Sequence, residues 1–171
     1  MTALPELALG EEWYAVQTRH CCEHMATDHL RRLGIEALLA VHEEVHTWSD
    51  RRKLVLVPMF PGYVFVHIHL REARLAVLRT PGVRKFVTFN GSVASIEPAQ
   101  IDAVRLLMER KIPCSIGPCV PVGTRIRIEG GVLDGIEGTL SQSSRQMLVI
   151  TIEPLQRSIT IDARGYKVVP V

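Results

Sequence analysis

The stretch Phe60-Pro61-Gly62-Tyr63-Val64-Phe65-Val66 decides the fold, because it ends one β-rich segment and begins another. Residues 54–57 (LVLV) and 63–68 (YVFVHI) are rich in β-branched and aromatic side chains, which favours strands. Two prolines and a glycine within 58–62 forbid a continuous strand between them. The sequence therefore predicts two strands joined by a proline-kinked break, with aromatic side chains beside it.

The segments on either side of this block predict an α+β domain. Apolar residues at spacings of three and four indicate helices, and alternating or β-branched runs indicate strands. In the first helix this spacing predicts one face made of Cys22, Met25, Ala26, His29, Leu30 and Leu33. The predicted elements are a strand at 13–19, a helix at 20–33 stopped by Gly34, a strand at 37–48, the two strands above, a helix at 71–79, a strand at 83–89, an Asn90-Gly91 turn, and a helix from Pro98. With the strand-like but ambiguous segment 37–48 left aside, this order is β-α-β-β-α-β-α, and it predicts an antiparallel sheet flanked by helices over residues 13–111.

The rest of the chain divides into a linker and an all-β domain. Three prolines and a glycine within 112–121 indicate the linker, which we place at 112–120. Residues 124–131 (TRIRIEGG) alternate strictly, and three further β-rich segments follow. Short strands separated by glycines predict a small closed barrel over 121–171. Residues 1–12 carry no pattern and are expected to form a tail.

Composition narrows the functional classes. Hydrophobic residues make up 47% of the chain, and 20 basic against 18 acidic side chains leave a net charge of +2, so only a local cluster of cations can bind phosphates. The chain has no secretory signal and no apolar run of membrane-spanning length, which predicts a cytoplasmic protein with no membrane association and reduced cysteines. No phosphate-binding loop, nucleophile elbow or HExxH motif is present, so we expect neither an enzyme nor a cofactor.

Four segments in this order resemble the NusG/RfaH family, which combines an N-terminal NGN domain with a C-terminal KOW domain. They are Trp13-Tyr14-Ala15-Val16, the 60–66 block, the Thr80-Pro81-Gly82-Val83 turn leading into Phe86-Val87, and residues 122–138. The resemblance covers about residues 13–171. Residues 145–162 (RQMLVITIEPLQRSITID) and 87–91 (VTFNG) are most similar to the specialised members of the family.

The resemblance implies a transcription elongation and antitermination factor. Members of the family bind the clamp of RNA polymerase through the NGN domain and suppress pausing, and the KOW domain recruits a second partner such as Rho or a small-subunit ribosomal protein. Specialised members act on particular long operons. We expect a monomer. The alternative that stays open is a KOW-containing RNA-binding protein associated with the ribosome, although a charge of only +2 speaks against it.

Two sets of residues are predicted to bind partners. Aromatic side chains next to a proline-broken strand supply desolvated area for a partner helix, and they match the polymerase-contact block of the family; the set is Tyr14, Phe60, Pro61, Tyr63, Phe86 and Phe89. Plain core packing is the competing interpretation. The second set is Arg19, His29 and Arg32, whose matching positions in specialised members face the non-template DNA strand. An ordinary solvated face is its alternative.

Three further features carry open alternatives. Arg51-Arg52-Lys53 is a cation run at a predicted hairpin tip, suited either to phosphates or to water. His20 and His24 have the spacing of zinc ligands on a helix, but no second ligand pair accompanies them, so no metal site is expected. The glycines of the second domain are expected to occupy turns of positive φ; they are Gly130, Gly131, Gly135 and Gly138.

Overall fold

A computed structural model describes residues 10–119, 122–141 and 147–171 of the chain. Residues 1–9 of the predicted N-terminal tail therefore lie outside the described residues, as do residues 145 and 146 of the segment similar to specialised members. The chain forms two units. The first comprises the residues up to Leu39 together with Pro61–Ile96, and the second comprises Ala40–Phe60 and Glu97–Val171.

Short strands alternate with three α-helices along the described chain. The strands are β1 Glu12–Thr18, β2 Glu36–Leu38, β3 Val41–Thr47, β4 Arg52–Pro58, β5 Tyr63–Ile68, β6 Val83–Phe86, β7 Thr88–Phe89, β8 Ser92–Val93, β9 Ser95–Ile96, β10 Ser115–Pro118, β11 Val122–Glu129, β12 Glu137–Ser141, β13 Met147–Ile152, β14 Arg157–Asp162 and β15 Lys167–Pro170. The helices are α1 Glu23–Arg32, α2 Leu70–Leu78 and α3 Pro98–Glu109, with 3-10 turns at Gly131–Leu133 and Glu153–Leu155. The predicted α+β class is confirmed.

The first unit is built on an antiparallel sheet in which β1 is central. The strands follow the order β2-β5-β1-β6, and β9 also pairs with β1. Consecutive residues of the 60–66 block, Val64–Val66, are fully buried, as are Ala15 and Val16 opposite them. Burial of successive residues requires cover on both faces of a strand, which is why this segment lacks polar alternation. At the predicted Asn90-Gly91 turn, both residues adopt positive φ between β7 and β8.

The helix α1 buries a face that differs from the predicted apolar stripe. Its buried residues follow helical spacing and include two polar ones, namely Glu23, Ala26, Thr27 and Leu30. Met25 and Leu33, which the apolar spacing places inside, are exposed. The polar residues are tolerated because Thr27 Oγ1 donates to the Glu23 carbonyl at 2.7 Å and the Glu23 carboxylate accepts a backbone N–H.

The second unit combines the β3–β4 hairpin, α3 and a six-stranded antiparallel sheet of order β10-β14-β13-β12-β11-β15. The alternation is confirmed over 125–129, because Ile126 and Ile128 are buried and the arginines between and beside them are exposed, whereas Thr124 is also exposed. Gln100 Nε2 of α3 donates to the Thr151 carbonyl of β13 at 2.6 Å. The hairpin and α3 therefore belong to the same unit as the sheet, whereas the sequence assigns them to the first domain; the domain boundaries themselves stay predictions.

The predicted linker at 112–120 contains a strand. Ser115–Pro118 form β10, which pairs antiparallel with β14 at the edge of the sheet. Proline is compatible with an edge strand because one side of that strand makes no ladder hydrogen bonds. A proline-rich composition therefore does not separate a linker from an edge strand.

The glycine prediction is correct at three positions and wrong at the fourth. Gly130, Gly131 and Gly135 adopt φ of 86°, 72° and 83°, as expected for the turns at the end of β11. Gly138 in β12 has a different reason, since an added Cβ would lie 2.6 Å from the Val149 carbonyl oxygen and 2.8 Å from Leu148 Cδ1. Close approach of β13, rather than backbone conformation, requires glycine there.

Candidate partner-binding surfaces

An open cavity of about 660 Å³ lies within the second unit, between the β3–β4 hairpin and the end of α3. This volume is in the range of natural ligand sites, so the cavity can receive several side chains of a partner. Most of its lining is apolar. The lining residues are Val41, His42, Glu43, Glu44, Leu54, Leu56, Met59, Leu107, Met108, Lys111, Ile112, Pro113 and Cys114.

The β3–β4 hairpin presents two chemically different faces. Residues directly opposite in an antiparallel pair share a face, and successive residues alternate. Val45 faces Leu54 across the hairpin, and Leu56 lies two residues further along β4, so these three form one face, here named the apolar face. Leu54 is 62% exposed and Leu56 56% exposed. Contiguous exposed apolar side chains of this kind mark interaction sites in soluble proteins.

Polar side chains line one side of the cavity. His42 Nε2 lies 2.9 Å from Glu44 Oε1, and His46 Nε2 lies 3.4 Å from Glu44 Oε2. The hydrogen bond from His42 is the main cause that holds the pKa of Glu44 below its usual value. Lys111 Nζ and Glu43 Oε1 form an ion pair of 2.8 Å. An apolar centre with charged groups around it is the usual composition of a protein-binding surface.

The predicted polymerase-binding residues differ in their accessibility. Pro61 and Phe89 are exposed and Tyr63 is half-buried, whereas Tyr14, Phe60 and Phe86 are buried. Tyr14 and Phe86 pack edge to face with ring centroids 6.3 Å apart. Burial, followed by the hydrogen bond of the Tyr14 hydroxyl to Glu12 at 2.8 Å, raises the pKa of Tyr14. Two of the six side chains thus pack together inside the first unit, and their role in polymerase binding stays a prediction.

The turn at Gly62 is held by a residue that the sequence did not single out. The backbone N–H of Gly62 donates to Glu23 Oε1 at 2.7 Å, and the Gly62 carbonyl accepts from Thr18 N at 2.8 Å. Glu23 is buried in the first turn of α1. Its only sequence signal was an acidic residue in a first helical turn, which normally indicates interaction with the helix dipole rather than a distant contact.

The predicted DNA-binding residues lie along α1. Arg19 is exposed just after β1, and its backbone N–H donates to the Gly82 carbonyl at 2.8 Å. His29 is half-buried and Arg32 is exposed near the end of α1, so the length of the helix, about 15 Å, separates Arg19 from Arg32. Arg31 between them is engaged with the Ala37 carbonyl. These three predicted residues form an elongated strip rather than one cluster, and their DNA contact stays a prediction.

The chemistry of the cysteines and histidines does not point to a reactive centre. All four cysteines are free thiols, and burial raises the pKa of Cys114, which keeps that thiol protonated at neutral pH. Within residues 10–119, 122–141 and 147–171, no group of three or more His, Cys, Asp or Glu side chains is placed to hold a metal ion.

None of the helices in the described part of the chain has the length and apolarity that a membrane crossing requires.

An open apolar cavity, an exposed apolar hairpin face and exposed cations are features typical of proteins that bind other macromolecules. The family model described as "Transcription termination factor nusG" matches residues 11–105. The chain belongs to the NusG family of transcription termination and antitermination factors, which confirms the resemblance found in the sequence.

Relatives of the same name span most of the chain. The transcription termination/antitermination protein NusG of Lactococcus lactis is 29% identical over 91% of this chain and 91% of its own length. The protein of the same name from Staphylococcus carnosus is 25% identical over 84% of this chain and 85% of its own. A solved structure described as "Domain interaction in Thermotoga maritima NusG" covers 92% of this chain and 96% of its own with a TM-score of 0.50 and 20% identity, which supports the fold.

Proposed function

We propose that this protein is a transcription elongation and antitermination factor that binds the clamp of RNA polymerase and suppresses pausing or termination. The observation that carries the proposal is the apolar face of the hairpin, which continues into the open cavity of the second unit. In a member of the NusG family, such a surface fits an apolar helix of the polymerase, because helix recognition uses grooves that accept side chains spaced three and four residues apart.

Suppression of pausing follows if the factor prefers one state of the polymerase. A bound factor shifts an equilibrium only by the difference in its affinity for the two states. We propose that the cavity binds the clamp helix more tightly in the conformation of active elongation than in the paused conformation. Displacement of water from Leu54 and Leu56 would then stabilise the active state.

The predicted polymerase-binding residues divide by exposure into two proposed roles. Pro61, Tyr63 and Phe89 are accessible enough to touch the polymerase directly. Tyr14, Phe60 and Phe86 are buried, and we assign to them the shaping of the block from inside. Met59, which lines the cavity, is the residue immediately before the 60–66 block.

The remaining partners are proposed from the family resemblance and the exposed cations. Arg19, His29 and Arg32 would contact the non-template DNA strand, with the arginines neutralising phosphates. The C-terminal β domain would recruit Rho or a small-subunit ribosomal protein, and the protein would act as a monomer in the cytoplasm on particular long operons. A stable association with ribosomal subunits in place of polymerase would favour the ribosomal alternative.

The test is a pull-down of purified bacterial core RNA polymerase by the full-length chain. Leu54→Asp combined with Leu56→Asp should abolish retention of the polymerase, because a buried unpaired carboxylate opposes docking. The matched control is Leu75→Asp on α2, where the leucine is 63% exposed in the first unit and should tolerate the change. Equal retention by the double variant and the control would refute the proposed polymerase site.

A further inference from the structure

We propose that the tip of the β3–β4 hairpin, residues 46–53, is a binding site for single-stranded nucleic acid. Trp48 would stack on an unpaired base, and Arg51 and Lys53, which share its face of the hairpin, would contact the phosphates on either side of it. This site goes beyond the proposed function, because it requires neither polymerase binding nor the strip of Arg19, His29 and Arg32.

The position of Trp48 is fixed although its side chain is exposed. Its backbone N–H donates to the Arg51 carbonyl at 2.9 Å, which closes the hairpin around Ser49 and Asp50. The side chain nevertheless remains 50% exposed. Trp13, the other tryptophan of the chain, is buried in β1 and stacks on His67 at 5.0 Å. An exposed tryptophan on a hydrogen-bonded hairpin turn presents a large apolar surface that a flat partner can cover.

The pairing of the hairpin places the aromatic and cationic side chains together. His46 lies opposite Lys53, and Trp48 pairs with Arg51 at the turn, so these four share the face opposite to the apolar face. The His46 and Trp48 rings are 6.2 Å apart at an interplanar angle of 60°, so the two rings do not stack on each other. Trp48 therefore keeps surface for stacking while His46 supports it from one side.

The charge of the tip favours an anionic partner. Arg51, Arg52 and Lys53 are all exposed, and in the described part of the chain none of them forms an ion pair. Asp50 is the one acidic residue among positions 46–53. Arg51 and Lys53 share the face of Trp48, and Arg52, opposite Thr47, adds a third cation on the other face. Glu44, further along the same face, is already bonded to His42 and His46. The cations are therefore available to phosphates.

The combination selects single strands over duplexes. An exposed aromatic ring flanked by cations is the arrangement with which proteins bind unpaired nucleotides, since every base offers a face for stacking while the phosphates follow the positive charge. In a duplex the base faces are already stacked, so Trp48 would contribute little and only the cations would act. DNA and RNA share this chemistry, and the measurement below separates them.

The experiment titrates the full-length chain with single-stranded oligonucleotides of about 12 nucleotides, a length within the usual range of single-strand binding sites. Tryptophan emission is recorded with a DNA strand, an RNA strand of the same sequence, and the DNA duplex. Single strands should quench the emission, and Trp48→Phe should remove the quenching, because buried Trp13 is not accessible to a base. With a labelled strand, Trp48→Ala should weaken Kd about fivefold or more, and Trp48→Phe should retain part of the affinity.

The cations are tested by the dependence of Kd on salt. Arg51→Ala combined with Lys53→Ala should lower the slope of log Kd against log salt by about 1.4, the value for two contacts to a single strand. The control pair, Arg71→Ala with Arg74→Ala on α2, removes two exposed arginines of the first unit and should leave the slope unchanged. Circular dichroism verifies that each variant is folded.

Several outcomes would overturn the proposal. These are no quenching by either single strand, a duplex that binds more tightly than the single strand, and a Trp48→Ala variant that binds like the original chain. Loss of binding only when Arg19 and Arg32 are replaced would assign the nucleic-acid contact to α1 instead of the tip. A stronger effect with RNA than with DNA, or the reverse, supports the site and identifies its natural strand.

Discussion

Glu23 and Gly62 are joined by a hydrogen bond of 2.7 Å, although 39 positions of sequence separate them. The carboxylate belongs to the first turn of α1, and the amide belongs to the proline-kinked break before β5. This contact fixes the turn that carries Pro61 and Tyr63, two of the predicted polymerase contacts. A buried acidic side chain thus sets the conformation of the block from which the family resemblance was recognised.

Replacement of Glu23 should therefore destabilise the protein. Glu23→Ala leaves the Gly62 N–H without its acceptor, which should lower the free energy of unfolding by about 1–3 kcal/mol. Glu23→Gln retains an oxygen acceptor at the same distance and should lose less. Urea denaturation followed by circular dichroism measures both. If the alanine and glutamine variants unfold at the same urea concentration as the original chain, the hydrogen bond does not hold the turn.

Replacement of Phe60 should affect folding before it affects binding. The side chain is 3% exposed, so Phe60→Ala creates a cavity and should cost about 3–5 kcal/mol of stability. Phe89→Ala is the matched control, because that ring is exposed and its loss should change stability by no more than about 0.5 kcal/mol. Thermal unfolding compares them. Equal melting temperatures would mean that Phe60 is not part of the core.

Arg19 and Arg32 should contribute to the salt dependence of DNA binding. On a DNA scaffold with an open non-template strand, Arg19→Ala combined with Arg32→Ala should reduce the slope of log Kd against log salt by about 1.4, if each arginine neutralises one phosphate of a single strand. The same control pair on α2, Arg71 and Arg74, should leave the slope intact. An unchanged slope in the Arg19 and Arg32 variant would show that these residues do not contact the DNA phosphates.

Stability at acidic pH should depend on Glu137. The Arg127 side chain, which donates a hydrogen bond to Glu137, is the main cause that lowers the pKa of this carboxyl, and the charges of Arg127 and Arg125 add to it. A lowered pKa in the folded state means that the stabilisation is present at neutral pH. It is lost as pH falls below the unfolded value of about 4.3 and through the folded pKa.

Glu137→Gln tests this dependence. The variant should lose no more than about 1 kcal/mol at neutral pH, because the ion pair lies at the surface. The difference between the original chain and the variant should shrink as pH falls through the folded pKa, where both carry a neutral side chain. Denaturant unfolding at neutral and acidic pH measures the two differences. A difference that stays constant with pH would mean that the charge of Glu137 contributes nothing.

Local patterns predicted the helices and turns well, because their causes lie within a few residues. Pro98 begins α3 as expected from its fixed φ, and Asn90-Gly91 forms the predicted turn because both residues tolerate positive φ. The α1 stripe was less accurate. Thr27 and Glu23 are buried, whereas Met25 and Leu33 are exposed. Hydrogen bonds satisfy the buried polar groups, and the spacing of apolar residues does not predict such bonds.

The candidate surfaces were only partly predictable. The aromatic block and the cations of the hairpin tip are visible in the sequence, but exposure is not. Tyr14, Phe60 and Phe86 of the predicted polymerase-binding set are buried, which the residue types alone did not indicate. The sequence places Leu54 and Leu56 in a predicted strand, but it does not indicate that their side chains face solvent. The β3–β4 hairpin stands outside the larger sheets and leaves Leu54 and Leu56 exposed, which no local pattern reveals.

The sequence by itself determined the α+β class, the family and most of the element order, because propensity, turn chemistry and the spacing of apolar residues act over short distances. Only the tertiary structure decided which apolar side chains stay exposed, why Gly138 must lack a Cβ, and that Glu23 reaches Gly62. Each of these depends on the distance between segments remote in the chain. Such distances are set by packing, in which every side chain occupies space left by neighbours that the local sequence does not specify.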